Sequence, residues 1–274
     1  MILPDELFDK FAKLIYKKTG IYYESNKKYY VQKRLEARAE LLEMDSLNEY
    51  YIMLKFSEDP SEFDKLINDL TVNETYFFRD FPQLRNFAED VLPVFVGEKG
   101  DRRKIKIWSA ACSTGEEPYT LSIILQEMLE KPGEWEIQIL ASDINTEVLQ
   151  SARIGLYESR AVKDVPPEYL EKHFTRRHDK YLVNLDVKKP VSFRRINLMD
   201  DSEMSSVTGC DFIFCRNCLI YFDDESRKSV LSRFYESLNP GGFIFLGHSE
   251  SVGRISSAYR VQRIGDTIVY SRPK

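Results

Sequence analysis

Histidine is scarce: His173, His178 and His248 are the only three in 274 residues. No Ser-His-Asp or Cys-His order can be read from them, so a hydrolase or an oxidoreductase with a histidine base is poorly supported. Cysteine is limited to Cys112, Cys210, Cys215 and Cys218, a spacing that suggests no secreted disulfide framework. Cys215 and Cys218 form a Cys-x-x-Cys without further ligands at matching spacing, so structural thiols and no metal site are expected. No apolar run approaches the ~20 residues of a membrane span, so no direct membrane insertion is expected. Cations are not in excess: 39 Lys and Arg against 44 Asp and Glu leave a net charge of −5, which argues against bulk nucleic-acid binding. The N-terminus, MILPDELFDKF, has acids where a signal peptide needs basic and then apolar residues. A cytoplasmic protein is expected.

Glycine is also sparse where a nucleotide fold would need it. The stretch Ile105–Ile123, IKIWSAACSTGEEPYTLSI, reads as strand, tight loop of small residues, and helix start. Thr114 or Gly115 can cap the helix, with acids and Pro118 in its first turn. Such a junction is the ligand end of an open α/β sheet. Its single glycine gives neither a dinucleotide fingerprint nor a P-loop. Glu116 and Glu117 would repel a pyrophosphate, and would suit an amino group, a sulfonium or ribose hydroxyls, all of which S-adenosylmethionine carries. The same acids also suit the helix dipole of any α/β protein.

Residues 1–70 read as helical. Leu7, Phe8, Phe11, Leu14 and Ile15 repeat at helical spacing, and a second helix from about Ser25 to Met44 carries Val31, Leu35 and Leu42. Lys27, Arg34 and Arg38 share one side of that helix and Glu36, Glu40 and Glu43 the other, which reads as a solvated face or a docking strip for an acidic partner. Ser46 and Pro60-Ser61 open two further helices. Residues 71–95 form a linker and connecting helix. Within it TVNETYFFRDFP is too aromatic for an ordinary linker and reads as a lid or site wall. From 96 to 274 strands and helices alternate. The strand EIQILA ends at Ser142-Asp143, where an acid can meet ribose hydroxyls or, like Asn145, cap the next helix. Residues 155–190 interrupt the alternation with a helix near Pro167–His173 and two short β runs about a His178-Asp179 turn, a small antiparallel insertion. Strands Val191–Ile196 and Asp211–Cys215 follow. Asp223 or Asp224 caps a helix to about Leu238, Asn239–Gly242 turns into Phe243–Leu246, and a hairpin about Gly265-Asp266 closes the chain. A closing antiparallel hairpin on a parallel sheet marks a methyltransferase sheet rather than a dehydrogenase sheet.

Methyl transfer suits scarce histidine. A glutamate, with a reference pKa of about 4.3, is already an anionic nucleophile. What remains is alignment of oxygen, methyl carbon and sulfur, for which well-oriented pairs gain ~7–11 kcal/mol. The motifs NETYFFRD, WSAACSTGEEPYTLSI, ASDIN, INL, FCRNCLIYF and GGFIFLGHSES, in this order and over almost the whole chain, resemble the CheR-type chemoreceptor glutamate O-methyltransferases. The resemblance implies an α/β, Rossmann-like S-adenosylmethionine-dependent methyltransferase domain with a small antiparallel β-insertion, preceded by an all-α N-terminal domain. It implies methylation of glutamate carboxylates on bacterial chemoreceptors, giving methyl esters and S-adenosylhomocysteine in chemotactic adaptation. It implies that Asn73, Thr75 and Arg79 border the cofactor from the linker, that Glu117 and Asp143 hold its polar groups, that Asn197-Leu198 lie by the adenine, and that Arg216-Asn217 close the pocket. Arg79 and Tyr221 would face the transferred methyl and the substrate carboxylate. Lys27, Arg34 and Arg38 would meet the acidic helical bundle of the receptor's cytoplasmic part. The insertion resembles the β-subdomain that grips a receptor pentapeptide tether in some members. Those members have a longer, glycine-containing loop where RRHDK, Arg176–Lys180, stands here, so docking without a pentapeptide is expected, by a monomer. The alternatives keep the fold: a methyltransferase for another signalling protein, or a cofactor-bound interaction module.

Overall fold

The first seventy residues bury one apolar stripe from each of four helices, α1 (Asp5–Thr19), α2 (Lys28–Leu41), α3 (Leu47–Phe56) and α4 (Ser61–Leu70). The computed structural model describes residues 1–100, 102–250, 258–265 and 267–274. Asp266 of the sequence-predicted closing turn and Ser251, the last residue of GGFIFLGHSES, lie outside the described residues. Phe8, Phe11 and Ile15 from α1 meet Val31 and Leu35 from α2, Tyr50 and Leu54 from α3, and Leu66 and Leu70 from α4. Ser46 caps α3 by accepting the Glu49 N–H, as its position predicts. Two sequence expectations are corrected here. Leu42 lies past the end of α2 and is exposed, and Ala39 takes its place in the stripe. Arg38 is not a free docking cation. Its guanidinium forms a two-point ion pair with Glu62 of α4, at 2.8 and 2.6 Å, and Tyr50 donates to the same carboxylate at 3.0 Å. With side chains only 14% and 11% exposed, the pair is a strut between helices.

A helical run follows, α5 (Phe81–Asn86), a π turn (Phe87–Val91) and α6 (Leu92–Lys99), four residues longer than its sequence pattern predicts. Then come β1 (Lys104–Ala110), α7 (Glu116–Met128), β2 (Glu136–Asp143), α8 (Thr146–Ile154), β3 (Leu156–Glu158), α9 (Pro167–His173), β4 (Phe174–Arg177), β5 (Lys180–Val183) and α10 (Leu185–Lys188). The chain ends with β6 (Val191–Arg195), α11 (Asp201–Ser205), β7 (Cys210–Cys215), α12 (Asp224–Ser237), β8 (Leu238–Leu246), β9 (Arg260–Ile264) and β10 (Thr267–Ser271). Among the described residues the large sheet has the order β6-β2-β1-β7-β8-β10-β9. All neighbours pair in parallel except β10, which runs against both β8 and β9. This is the Rossmann-like arrangement with its antiparallel closing hairpin. The insertion forms a separate antiparallel sheet, β3-β5-β4.

Every residue of β7 is buried, as a parallel strand covered on both faces must be. Phe87, in the π turn, packs edge-on against Phe212, Phe214 and Phe245 on one face. Trp108 meets Phe234 of α12 on the other. Asn239–Gly242 is not a free turn: β8 already pairs at Leu238, and the register slips between Cys210 and Phe212. A Cβ on Gly242 would lie 2.9 Å from the Asn239 carbonyl and 3.0 Å from that of Asp211, so this glycine permits the bulge.

The strand order reverses between β1 and β7, which puts the loops after Ala110 and Cys215 side by side at the switch point. The helical segment closes on that end. Ile21 bridges Phe222, the Tyr22 N–H donates to the Tyr221 carbonyl at 2.9 Å, and Tyr16 donates to Asp223 at 2.9 Å. Gly20, at φ 72°, lets the chain pass, since a Cβ there would lie 2.6 Å from Met199 and 2.7 Å from Phe222. For the Arg38 strut, Arg38→Met should cost about 2–4 kcal/mol in urea unfolding, because it strands Glu62 and Tyr50 without their cation. A loss under about 0.5 kcal/mol would return Arg38 to a solvent-facing strip.

Candidate active site

The loop after β1 turns so sharply that Ala111, Ser113 and Gly115 all take positive φ, at 60°, 49° and 94°. Small side chains make this tolerable, and the glycine sits where nothing larger fits. A Cβ on Gly115 would lie 2.8 Å from the Ala152 Cβ and 3.1 Å from the Tyr157 hydroxyl. Gly115 is thus the N-cap of α7, while the Thr114 hydroxyl donates to Glu116 at 2.7 Å. Ser113 ties three elements together: its N–H donates to Asp143 at 2.8 Å and its hydroxyl to the Asn73 carbonyl at 3.0 Å. Asp143 also accepts from the Asn145 N–H at 2.9 Å. The cap of α8 is Asn145, which accepts from Glu147 and Val148, so Asp143 is left to the loop. Burial pushes the Asp143 carboxyl above its ordinary value, against the pull of the Asn145 and Ser113 N–H groups. The folded state therefore holds that proton more tightly than the unfolded chain, and the acid costs stability as pH rises through the window between the two.

Arg216, just after β7, is the cation of the site. Its side chain is 3% exposed and bonds Glu117 at 3.2 Å, Asp80 at 3.3 Å and the backbone carbonyl of Arg79 at 2.5 Å. Glu117 accepts from Ser109 as well, at 2.7 Å. The backbone on the far side of Arg216 is forced: Phe78 and Asp80 take φ of 57° and 66°. Arg79 between them donates to the Glu74 carbonyl at 2.7 Å. Tyr221 is 36% exposed, and burial raises its phenol pKa, with Arg79 pulling it the other way. It is a neutral hydroxyl donor at physiological pH.

These groups line one cleft of about 690 Å³, a size typical of cofactor sites. Asn73, Thr75, Arg79, Glu117, Asp143, Asn197, Leu198, Arg216, Asn217, Tyr221 and Lys27 all contribute to its wall. Asn197 spends its amide on the Lys18 carbonyl, at 2.6 Å, and on the Met199 N–H. Arg34 stands one layer back, its guanidinium 3.6 Å from the centroid of the Tyr30 ring. Arg38 is outside the wall. Sequence reasoning missed the helical half of the cleft: Tyr23 and Tyr30 line it, both donating to the Leu70 carbonyl, at 2.9 and 3.0 Å. The run IYYESNKKYY was the available signal. Cys218 lines the cleft against buried Cys215, whose thiol is raised by their hydrogen bond and by burial. Among the described residues no three His, Cys, Asp or Glu side chains are grouped to hold a metal ion.

Asp143 and Glu117 face a polar, partly aromatic cleft with unused lone pairs, a donor set that accepts hydroxyls or a cation. The fit to S-adenosylmethionine is chemical: acids for its ribose hydroxyls and its cationic groups, and no phosphate cradle.

Two family models match the chain. The model described as CheR methyltransferase, all-alpha domain matches residues 6–71, and CheR methyltransferase, SAM binding domain matches residues 73–267. A chemotaxis protein methyltransferase 2 of Vibrio cholerae is 44% identical over 274 residues, covering 100% of this chain and 95% of the relative. The chemotaxis protein methyltransferases of Salmonella typhimurium and Escherichia coli are each 35% identical, covering 98% of this chain and 91% of the relative. For the loop geometry, Gly115→Ala should cost about 1–3 kcal/mol, through strain at positive φ and overlap with Ala152. Urea unfolding checks it, and an unchanged midpoint would mean that the loop relaxes freely.

Proposed function

The chain belongs to the CheR methyltransferase family, and from that premise we propose that it methylates glutamate carboxylates on the cytoplasmic helical bundle of bacterial chemoreceptors. The products are glutamate methyl esters and S-adenosylhomocysteine. The observation that carries the reading is the meeting of Arg79 and Tyr221 with Glu117 and Asp143 on one cleft. The relatives, chemotaxis protein methyltransferases at up to 44% identity over the full chain, support the chemotactic setting. No described helix is long and apolar enough to cross a membrane; in this reading a cytoplasmic monomer meets its receptor from solution.

Bound S-adenosylmethionine supplies the electrophilic methyl group. Asp143 and Glu117 hold its polar groups, Asn73, Thr75, Asn197 and Leu198 border it, and Arg216-Asn217 close the pocket. The glutamate is its own nucleophile, so no residue has to remove a proton. Arg79 orients the carboxylate as a cation, and the neutral Tyr221 hydroxyl donates to the oxygen left out of the new bond. The aromatic wall from Tyr23 and Tyr30 excludes water. Residues 1–70 act as the receptor-facing module, 71–95 as linker and wall, and 96–274 as the methyl-transfer module. Lys27 and Arg34 are the docking cations of this reading; Arg38 is spent on Glu62. The insertion hairpin turns in two residues, His178 and Asp179, which supports docking without a pentapeptide tether.

Receptor cytoplasmic fragments incubated with radiolabelled S-adenosylmethionine should gain base-labile label, equally with and without their C-terminal tails. No label would overturn the reading, and label only with tails would overturn the tether-free part. Arg79→Lys should slow turnover by about 10²–10³-fold. Cofactor affinity should fall as pH drops through the raised range of Asp143, because only the carboxylate attracts a cation. Asp143→Asn should bind weakly at neutral pH and flatten that acid limb in calorimetry. A parallel acid limb in wild type and variant would remove Asp143 from the site.

A further inference from the structure

The turn after β8, Gly247–Glu250, touches two walls of the cleft, the loop after β7 and the linker at Asp80. Among the described residues no cation pairs with the Glu250 carboxylate. One oxygen accepts the N–H groups of Gly247, at 2.7 Å, and Asn217, at 3.0 Å. The other accepts the N–H of Ile220 at 3.2 Å. It thus spans the loop that carries Asn217 and Tyr221, where Asn217 is held at a φ of 57°. Gly247 has to be glycine for this contact: a Cβ would lie 2.8 Å from the Glu250 carboxylate and 2.9 Å from the Asn217 nitrogen. Two residues before the end of the same turn, the exposed His248 contacts Asp80 through Nε2. Asp80 uses its other oxygen on Arg216, beside Arg79. Gln83 of α5 donates to the Leu246 carbonyl at 2.7 Å, joining the segment after Arg79 to the start of the turn.

We propose that Gly247–Glu250 is a clasp whose two side chains are positioning residues: Glu250 sets the Tyr221 loop, and His248 braces Asp80 next to Arg79. Neither side chain needs to touch substrate or cofactor. A carboxylate that gathers several backbone N–H groups fixes a loop more tightly than a neutral amide can, because charged acceptors make the shorter and stronger bonds. Because Arg79 and Tyr221 arrive on segments far apart in sequence, something has to set their separation. An error of about 1 Å there can cost ~10²-fold in rate. The turn bonds to both segments and adds to the direct link that Arg216 makes to the Arg79 carbonyl and Asp80.

The inference rests on the proposed roles of Arg79 and Tyr221, and a double-mutant cycle separates the two. Glu250→Gln keeps the side chain's shape and replaces one acceptor oxygen by a donor. It should lower kcat by about 10- to 100-fold, with receptor-fragment KM changed less than about 3-fold. Combined with Tyr221→Phe it should add little to the cost of Tyr221→Phe alone, since both remove the same hydroxyl from its place. His248→Ala should be likewise non-additive with Arg79→Lys. If Glu250→Gln does not fold, Glu250→Asp, one methylene short, is put through the same cycle. Wild-type kcat in the Glu250 variant, or additive costs, would overturn the clasp while leaving the proposed function in place. Wild-type rates in Tyr221→Phe and Arg79→Lys themselves would instead overturn the roles on which it rests.

Discussion

One guanidinium holds the cleft together. Arg216 is buried, and its partners come from two separate parts of the chain: Glu117 at the start of α7, and the linker, through the Asp80 carboxylate and the backbone carbonyl of Arg79. Two carboxylates and a carbonyl at one site would repel one another without it. Its desolvation is offset only because several acceptors converge at bonding distance, the condition under which a buried ion pair becomes favourable. The unusual backbone at Phe78 and Asp80 belongs to the same constraint, since the linker must twist to bring its carbonyl and carboxylate to one cation.

The rest of the site is layered on that centre. The small-residue loop after β1 is pinned to Asp143 and to the linker by Ser113. The helical segment then seals the open side through the Ile21–Phe222 bridge and the tyrosines that hang on the Leu70 carbonyl. Neither half encloses the cleft alone. The helical segment is therefore tied, through backbone hydrogen bonds, to the loop that carries Tyr221.

Much of this was legible because the informative residues are local. Strand, small loop and acidic helix start fall within twenty positions, and the insertion announces itself by breaking the alternation. What was not legible depends on partners distant in sequence. Helical periodicity groups Arg38 with Lys27 and Arg34, and only the packing of α2 on α4 brings Glu62 to it. Asp143 and Asn145 are equally good caps by residue type, and the choice follows from Ser113 arriving across the sheet. Asn239-Pro240-Gly241-Gly242 has the composition of a turn, yet is drawn into β8 because a parallel neighbour offers it pairing through a bulge. The tyrosines of IYYESNKKYY look like a helix entry until the sheet end stands opposite them.

The acids at the start of α7 bear on which adenosine compounds the cleft would admit. A helix N-terminus at a switch point ordinarily draws phosphate. Here Glu116 and Glu117 occupy it, with Asp143 across the loop. Adenosine alone would be a poor password, since the abundant nucleoside triphosphates carry the same purine and sugar. Acids at that helix start would disfavour a phosphate chain and favour a cationic adenosine conjugate. The proposed adaptation enzyme would in this way read methyl-donor supply without being throttled by the cell's energy charge.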